Sequence, residues 1–134
     1  CDKLYDKFSP LIDKNTYICG VPNGAIPFAS FIAGKNKIPM LMPRKDSKSK
    51  SYGMKRTIEG EYNTSTKIII IEDVVTTGGS VKEIIQLFTS KNIPVIGVVS
   101  IFYRGEPNKS PFDNIPYYYL YNSDNLLQPT PPTP

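Results

Sequence analysis

Two neighbouring carboxylates, Glu72 and Asp73, end the apolar run Lys67-Ile-Ile-Ile-Ile71. Val74 and Val75 follow, and then five small residues, Thr76, Thr77, Gly78, Gly79 and Ser80. Acids at the carboxyl end of a buried strand lie where open α/β sheets place their ligands. Glycines let the backbone approach closely, and loop amides leading into a helix make a cradle for an anion. The hydroxyls of Thr76, Thr77 and Ser80 add donors for a phosphate. The plain alternative is a pair of solvated acids followed by an ordinary helix cap. Neither G-x-x-x-x-G-K-[ST] nor G-x-G-x-x-G is present, so this is not a nucleotide-hydrolysing P-loop or a dinucleotide fingerprint.

A second set of chemical groups lies upstream. Arg44, Lys45, Lys48, Lys50, Lys55 and Arg56 are interrupted by a single acid, Asp46. Such a density of positive charge attracts phosphate on a nucleic acid, a lipid or a small molecule, or is simply a solvated loop. Nucleic-acid binding calls for stacking aromatics among the charges, and only Tyr52 interleaves, so no nucleic-acid partner is expected. Histidine is absent from the whole chain, which removes Ser-His, Cys-His and His-metal mechanisms. Chemistry here must run on carboxylates, Lys, Arg, hydroxyls and backbone amides.

The elements that position these groups fit one domain. The chain has 134 residues, 40% hydrophobic, with a formal net charge of +4, enough for a core and too short for two full-sized domains. No apolar run approaches the roughly 20 residues that span a bilayer, and no signal segment opens the chain. Neither a membrane partner nor a membrane location is expected. Two cysteines are too few for a disulfide framework, which points to a reducing, cytoplasmic setting.

Leu4, Phe8, Leu11 and Ile12 suit one side of a short helix ending near Asp13–Asn15. Thr16–Val21 reads as a buried strand that stops at the turn Pro22-Asn23-Gly24. The small apolar residues of 25–33 suggest a helix packed closely on a sheet, with Pro27 in its first turn. Ile38–Met42 reads as a second strand, and the basic stretch 43–53 as an exposed loop. Residues 67–72 form the clearest strand, of the type buried on both faces of a parallel sheet. A helix over 81–90 and strands over 94–102 and 117–121 complete an α/β alternation. The core is expected over 1–125, with the Pro/Thr-rich 126–134 as a tail or linker.

The run Ile-Ile-Glu-Asp-Val-Val-Thr-Thr-Gly-Gly-Ser resembles the phosphoribosyl-diphosphate (PRPP) motif of the type I phosphoribosyltransferases. The segments Gly20-Val-Pro-Asn-Gly-Ala-Ile-Pro27, Ile38-Pro-Met-Leu-Met42, Arg44-Lys45 and Lys50-Ser-Tyr-Gly-Met-Lys-Arg-Thr-Ile-Glu-Gly60 are similar to orotate phosphoribosyltransferases, above all the domain found in UMP synthases. The resemblance implies the type I fold: a central, mostly parallel sheet flanked by helices, with a flexible basic loop. It implies transfer of 5-phosphoribosyl from PRPP to orotate, giving orotidine 5′-monophosphate and diphosphate, with Mg²⁺ as cofactor.

By the same resemblance, Glu72 and Asp73 hold the ribose hydroxyls directly or through Mg²⁺, and residues 74–80 cradle the 5′-phosphate. Arg44, Lys45 and Lys50 bind diphosphate and stabilise it as it leaves. Lys50 matches by its spacing to Tyr52, but the spacing from Arg44 to Tyr52 is two residues longer than in the family, which leaves Lys48 as the other holder of that role. Asn23 and Gly24 match the turn that contacts diphosphate, while Thr76 and Arg104 match orotate contacts. A homodimer with the basic loop acting in trans is implied as well.

Only about 16 residues precede the first core strand, so most of the hood that covers the base in this family is missing. The polypeptide is expected to be N-terminally incomplete and weakly active or inactive. Two alternatives stay open: a purine salvage transferase, and a non-catalytic PRPP-binding relative that keeps the phosphate cradle and lacks a working loop.

Overall fold

The computed structural model describes residues 2–45, 56–106 and 109–123. Lys48, Lys50 and Tyr52, the stretch 126–134 and the side chain of Lys45 lie outside what is described. Four parallel strands, β1 (Thr16–Gly20), β4 (Lys67–Val75), β5 (Val95–Tyr103) and β6 (Tyr117–Asn122), form one sheet in the order β1-β4-β5-β6. Beside it stands a separate antiparallel ribbon of β2 (Met42–Lys45) and β3 (Arg56–Glu59).

The isoleucine run explains why β4 lies inside the sheet. Successive strand side chains point to opposite faces, and here both faces are covered. Ile69 and Ile71 pack with Leu4 and Phe8 of α1 (Asp2–Phe8) and with Ala29 and Ile32 of α2 (Ile26–Asn36). Ile68 and Ile70 pack with Val81, Ile84 and Phe88 of α3 (Gly79–Ser90). All four isoleucines are fully buried. The close fit of α2 on β1 depends on small residues: a Cβ on Gly20 would come within 2.8 Å of the Ala29 Cβ.

Three elements differ from the sequence expectations. The first helix stops at Phe8 and continues only as a 3₁₀ turn over Ser9–Leu11, because Pro10 cannot supply the amide an α-helix needs there. The strand expected over 38–42 contributes a single bridge, Ile18 to Met40. The extended backbone falls one step later, at Met42–Lys45, where it pairs with β3, an element without a clear sequence signal. The region expected to be loop from residue 43 therefore begins as strand. Lastly, β4 runs past its acids to Val75, and α3 begins at Gly79 rather than Val81.

The parallel step from β5 to β6 uses a connection, residues 104–116, that has no helix among its described residues. It covers the α3 face instead, and places buried Phe112 in the same cluster as Val75 and Val81.

Candidate active site

The ends of β1 and β4 are brought together by their register, with Gly20 beside Ile71. The turn after β1 therefore meets the acids of β4. Gly24 sits against Asp73 so closely that a Cβ there would strike the carboxylate, 3.1 Å from Cγ and nearer still to Oδ2. Asn23 is exposed on the same turn, next to a cis Pro22–Asn23 peptide.

The two carboxylates have different environments. Glu72 is only 7% exposed, and its Oε1 accepts the Asp73 amide at 2.8 Å. Asp73 is more open, and its Oδ1 accepts the Val74 amide at 2.8 Å. Burial, helped by a hydrogen bond to Asp73, pushes Glu72 up to about 8. The bond from Glu72, with the amides, holds Asp73 below the usual carboxylate range. Of the two, Glu72 is thus the carboxyl that holds on to a proton more readily, and Asp73 the one that ionises first.

Beyond them the backbone forms a cup. Glu72, Val74, Val75, Thr76, Thr77, Gly78, Gly79, Ser80 and Val81 line a concavity of about 160 Å³. Thr76, Thr77 and Ser80 are exposed there, whereas Val75 is buried and can offer only backbone. Gly78 is the N-cap of α3, left-handed at φ 86°, with no side-chain capping bond. The first amides of α3 thus have no capping side chain and meet the cup at the positive end of the helix dipole. A small anion such as phosphate fits this arrangement.

Arg104 follows β5, exposed, with its amide bonded to the Val75 carbonyl at 2.8 Å. Its backbone is thereby tied to the same loop. Arg44 lies elsewhere, on the β2–β3 ribbon, where Nε meets Glu59 Oε2 at 2.7 Å. The structure therefore joins the Asn23–Gly24 turn, both acids, the 76–80 loop and the Arg104 backbone. It holds Arg44 on its own ribbon, paired with an acid.

No group of three or more His, Cys, Asp or Glu residues that could hold a metal occurs among the described residues. Glu72 and Asp73 offer two oxygen-bearing groups. That set suits a hard divalent cation that keeps waters and takes other oxygens from substrate phosphates.

Two structural contributors were not singled out in the sequence. Glu59, within the quoted basic-loop pattern, pairs with Arg44. Ser100, fully buried and opposite Glu72 in the β4–β5 ladder, lies 2.6 Å from the Tyr117 hydroxyl. The aromatic run 117–121 signals a strand, but nothing local signals that hydroxyl pair.

The geometry can be set beside known proteins. The family model described as "Phosphoribosyl transferase domain" matches residues 3–121. An orotate phosphoribosyltransferase of Caenorhabditis elegans is 32% identical over 85% of this chain and 50% of its own length. One from Staphylococcus aureus (strain N315) is 37% identical over 83% of this chain and 55% of its own. A uridine 5′-monophosphate synthase of C. elegans is 42% identical over 65% of this chain and 17% of its own. The chain spans about half the length of the two orotate phosphoribosyltransferases. Among solved structures, UMP synthase of Leishmania donovani aligns with a TM-score of 0.74 at 26% identity, covering 92% of this chain and 26% of that one. Orotate phosphoribosyltransferase from Aeropyrum pernix gives 0.77 at 19% identity over 94% and 71%. Adenine phosphoribosyltransferase from Leishmania tarentolae gives 0.71 at 21% identity over 92% and 68%. The last two likenesses concern the fold alone.

Proposed function

The chain belongs to the phosphoribosyl transferase domain family, and on that premise we propose that it acts as an orotate phosphoribosyltransferase of pyrimidine biosynthesis. It would transfer 5-phosphoribosyl from PRPP to orotate and release diphosphate. The observation that carries the phosphoribosyl part is the meeting of the Gly24 turn, the Glu72–Asp73 pair and the 76–80 cup at neighbouring strand ends. The orotate part is supported by the relatives named for that activity at 32–37% identity. The likeness to adenine enzymes extends to the fold and carries no base assignment.

In this reading the 76–80 loop and the α3 amides fix the 5′-phosphate, while Glu72 and Asp73 take the ribose hydroxyls. An orotate ring nitrogen, as an anion, forms the new bond to C1 of the ribose. The C1–oxygen bond to diphosphate breaks, and the diphosphate keeps the electron pair. Positive charge develops on the sugar ring and negative charge on the leaving group. Arg44, Lys45 and Lys50 or Lys48 stabilise the latter, the kind of charge complementarity that contributes most in a site closed to water. Closure of the basic segment also keeps water from the sugar donor. Thr76 and Arg104 hold the orotate. Glu72 and Asp73 are the residues that would hold Mg²⁺, which supplies further positive charge to the diphosphate when bound.

The same reading includes a homodimer whose basic loop serves the partner's site, and a cytoplasmic location. None of the described helices is long and apolar enough to cross a membrane. Chromatographic detection of orotidine 5′-monophosphate and diphosphate in equal amounts, from orotate and PRPP with Mg²⁺, tests the reaction. Hydrolysis of PRPP without nucleotide formation would count against it.

A further inference from the structure

The cup at residues 76–80 owes its shape to a ring behind it. Gly78 is buried and left-handed, and the space beyond its Cα is already taken. A Cβ there would lie 2.8 Å from Phe112 Cε1, 3.1 Å from Phe112 Cζ and 3.2 Å from the Pro111 Cβ. Phe112 is only 3% exposed and belongs to the same core cluster as Val75 and Val81, which flank the cup. Its backbone is fixed as well: the amide donates to the Ser110 hydroxyl oxygen at 3.1 Å, and the carbonyl accepts the Ile115 amide at 3.0 Å.

The ring in turn rests on β6 and β5. Phe112 meets Tyr117 edge-on, centroids 5.0 Å apart at 89°, and Tyr117 meets Tyr103 at 5.2 Å and 86°. The Tyr117 hydroxyl reaches Ser100 Oγ at 2.6 Å, and Ser100 pairs with Glu72 across the ladder. A packed line thus runs from Gly78 through Phe112 to Tyr117, whose hydroxyl Ser100 holds. Edge-to-face rings resist sliding, and close-packed interiors transmit displacement.

We infer that Phe112 is a positioning residue for the phosphate cup, a wedge from the β5–β6 connection that holds Gly78 in the turn presenting the α3 amides to the anion. A parallel crossover ordinarily carries a helix, and among its described residues this connection has none; its loop reaches the back of the cup instead. Removing the ring leaves the glycine free to leave its left-handed turn, since glycine populates either sign of φ readily. The inference rests on the reading of the cup as a phosphate site.

Calorimetric titration with ribose 5-phosphate, and separately with diphosphate and Mg²⁺, tests it on the whole chain. Phe112→Ala should weaken ribose 5-phosphate about tenfold or more, the size of effect expected when a preorganised site loses its support. Diphosphate affinity, set by the Gly24 turn and the basic ribbon, should hold within about twofold. Should the Ala variant fail to fold, Phe112→Leu keeps most of the apolar volume and should show the same selective loss at a near-native melting temperature. Unchanged ribose 5-phosphate affinity in a folded variant, or an equal fall for both ligands, overturns the positioning role. Failure of the unsubstituted chain to bind ribose 5-phosphate overturns the cup itself as a phosphate site, and the wedge with it.

Discussion

Gly24 and Asp73 are in direct apposition: the glycine's missing side chain is the space that the Asp73 carboxylate occupies. The two residues come from different strands whose ends the parallel register aligns. Any side chain at position 24 must displace the carboxylate. Because the displaced carboxylate leaves its place in the site, Gly24→Ala is expected to weaken PRPP binding about tenfold or more, about 1.4 kcal/mol of binding free energy. Gly24 is exposed, so the melting temperature should barely move. Titration calorimetry beside a thermal melt checks both halves.

A pH dependence follows from Glu72. Its folded-state pKa is raised to about 8 from 4.5, so between those values the folded chain binds more protons than the unfolded chain. Stability contributed by this group is fully present below about 4.5 and is lost as pH rises towards 8. Denaturant midpoints of the ligand-free chain should fall across that window, and Glu72→Gln should flatten the slope. A slope that Glu72→Gln leaves intact would assign it to other groups.

Arg44 is held by Glu59 on an exposed ribbon, the two side chains being 69% and 55% accessible. Such a pair contributes about 0–1 kcal/mol, so Glu59→Gln should leave stability nearly unchanged. If Arg44 serves diphosphate, Glu59 competes for its guanidinium. The variant should then bind diphosphate up to about fivefold tighter, by the same limit of about 1 kcal/mol. Weaker binding would instead make Glu59 a support for Arg44.

Phe88 is fully buried against the Ile68 and Ile70 face. Phe88→Ala is expected to cost about 3–5 kcal/mol, read from urea unfolding. A cost below about 1 kcal/mol would mean that α3 is not packed as described.

The isoleucine run, its acids and the Thr-Gly-Gly turn were legible because strand, ligand edge and cup are contiguous in sequence. Small apolar residues placed α2, helical spacing placed α3, and apolar runs placed β5 and β6, each within a few residues. The β2–β3 ribbon was not legible: β3 is a four-residue strand, Arg-Thr-Ile-Glu, whose pairing with Met42–Lys45 spans the basic segment. Pro10 is visible, but its effect depends on whether the first helix continues beyond it. The appositions of Gly24 with Asp73 and of Gly78 with Phe112 join residues distant in sequence. They exist only once the sheet register and the β5–β6 connection are set, so no local pattern could announce them.

The most direct test of the central claim is a base-selectivity assay. Purified protein at high concentration is given PRPP and Mg²⁺ with orotate, adenine, hypoxanthine or uracil in turn, and loss of each base is followed by absorbance. Orotate alone should be consumed, only with PRPP and Mg²⁺ both present, and more slowly in Lys50→Ala or Lys48→Ala. Consumption of a purine instead, or PRPP binding with no orotate consumed, would contradict the account.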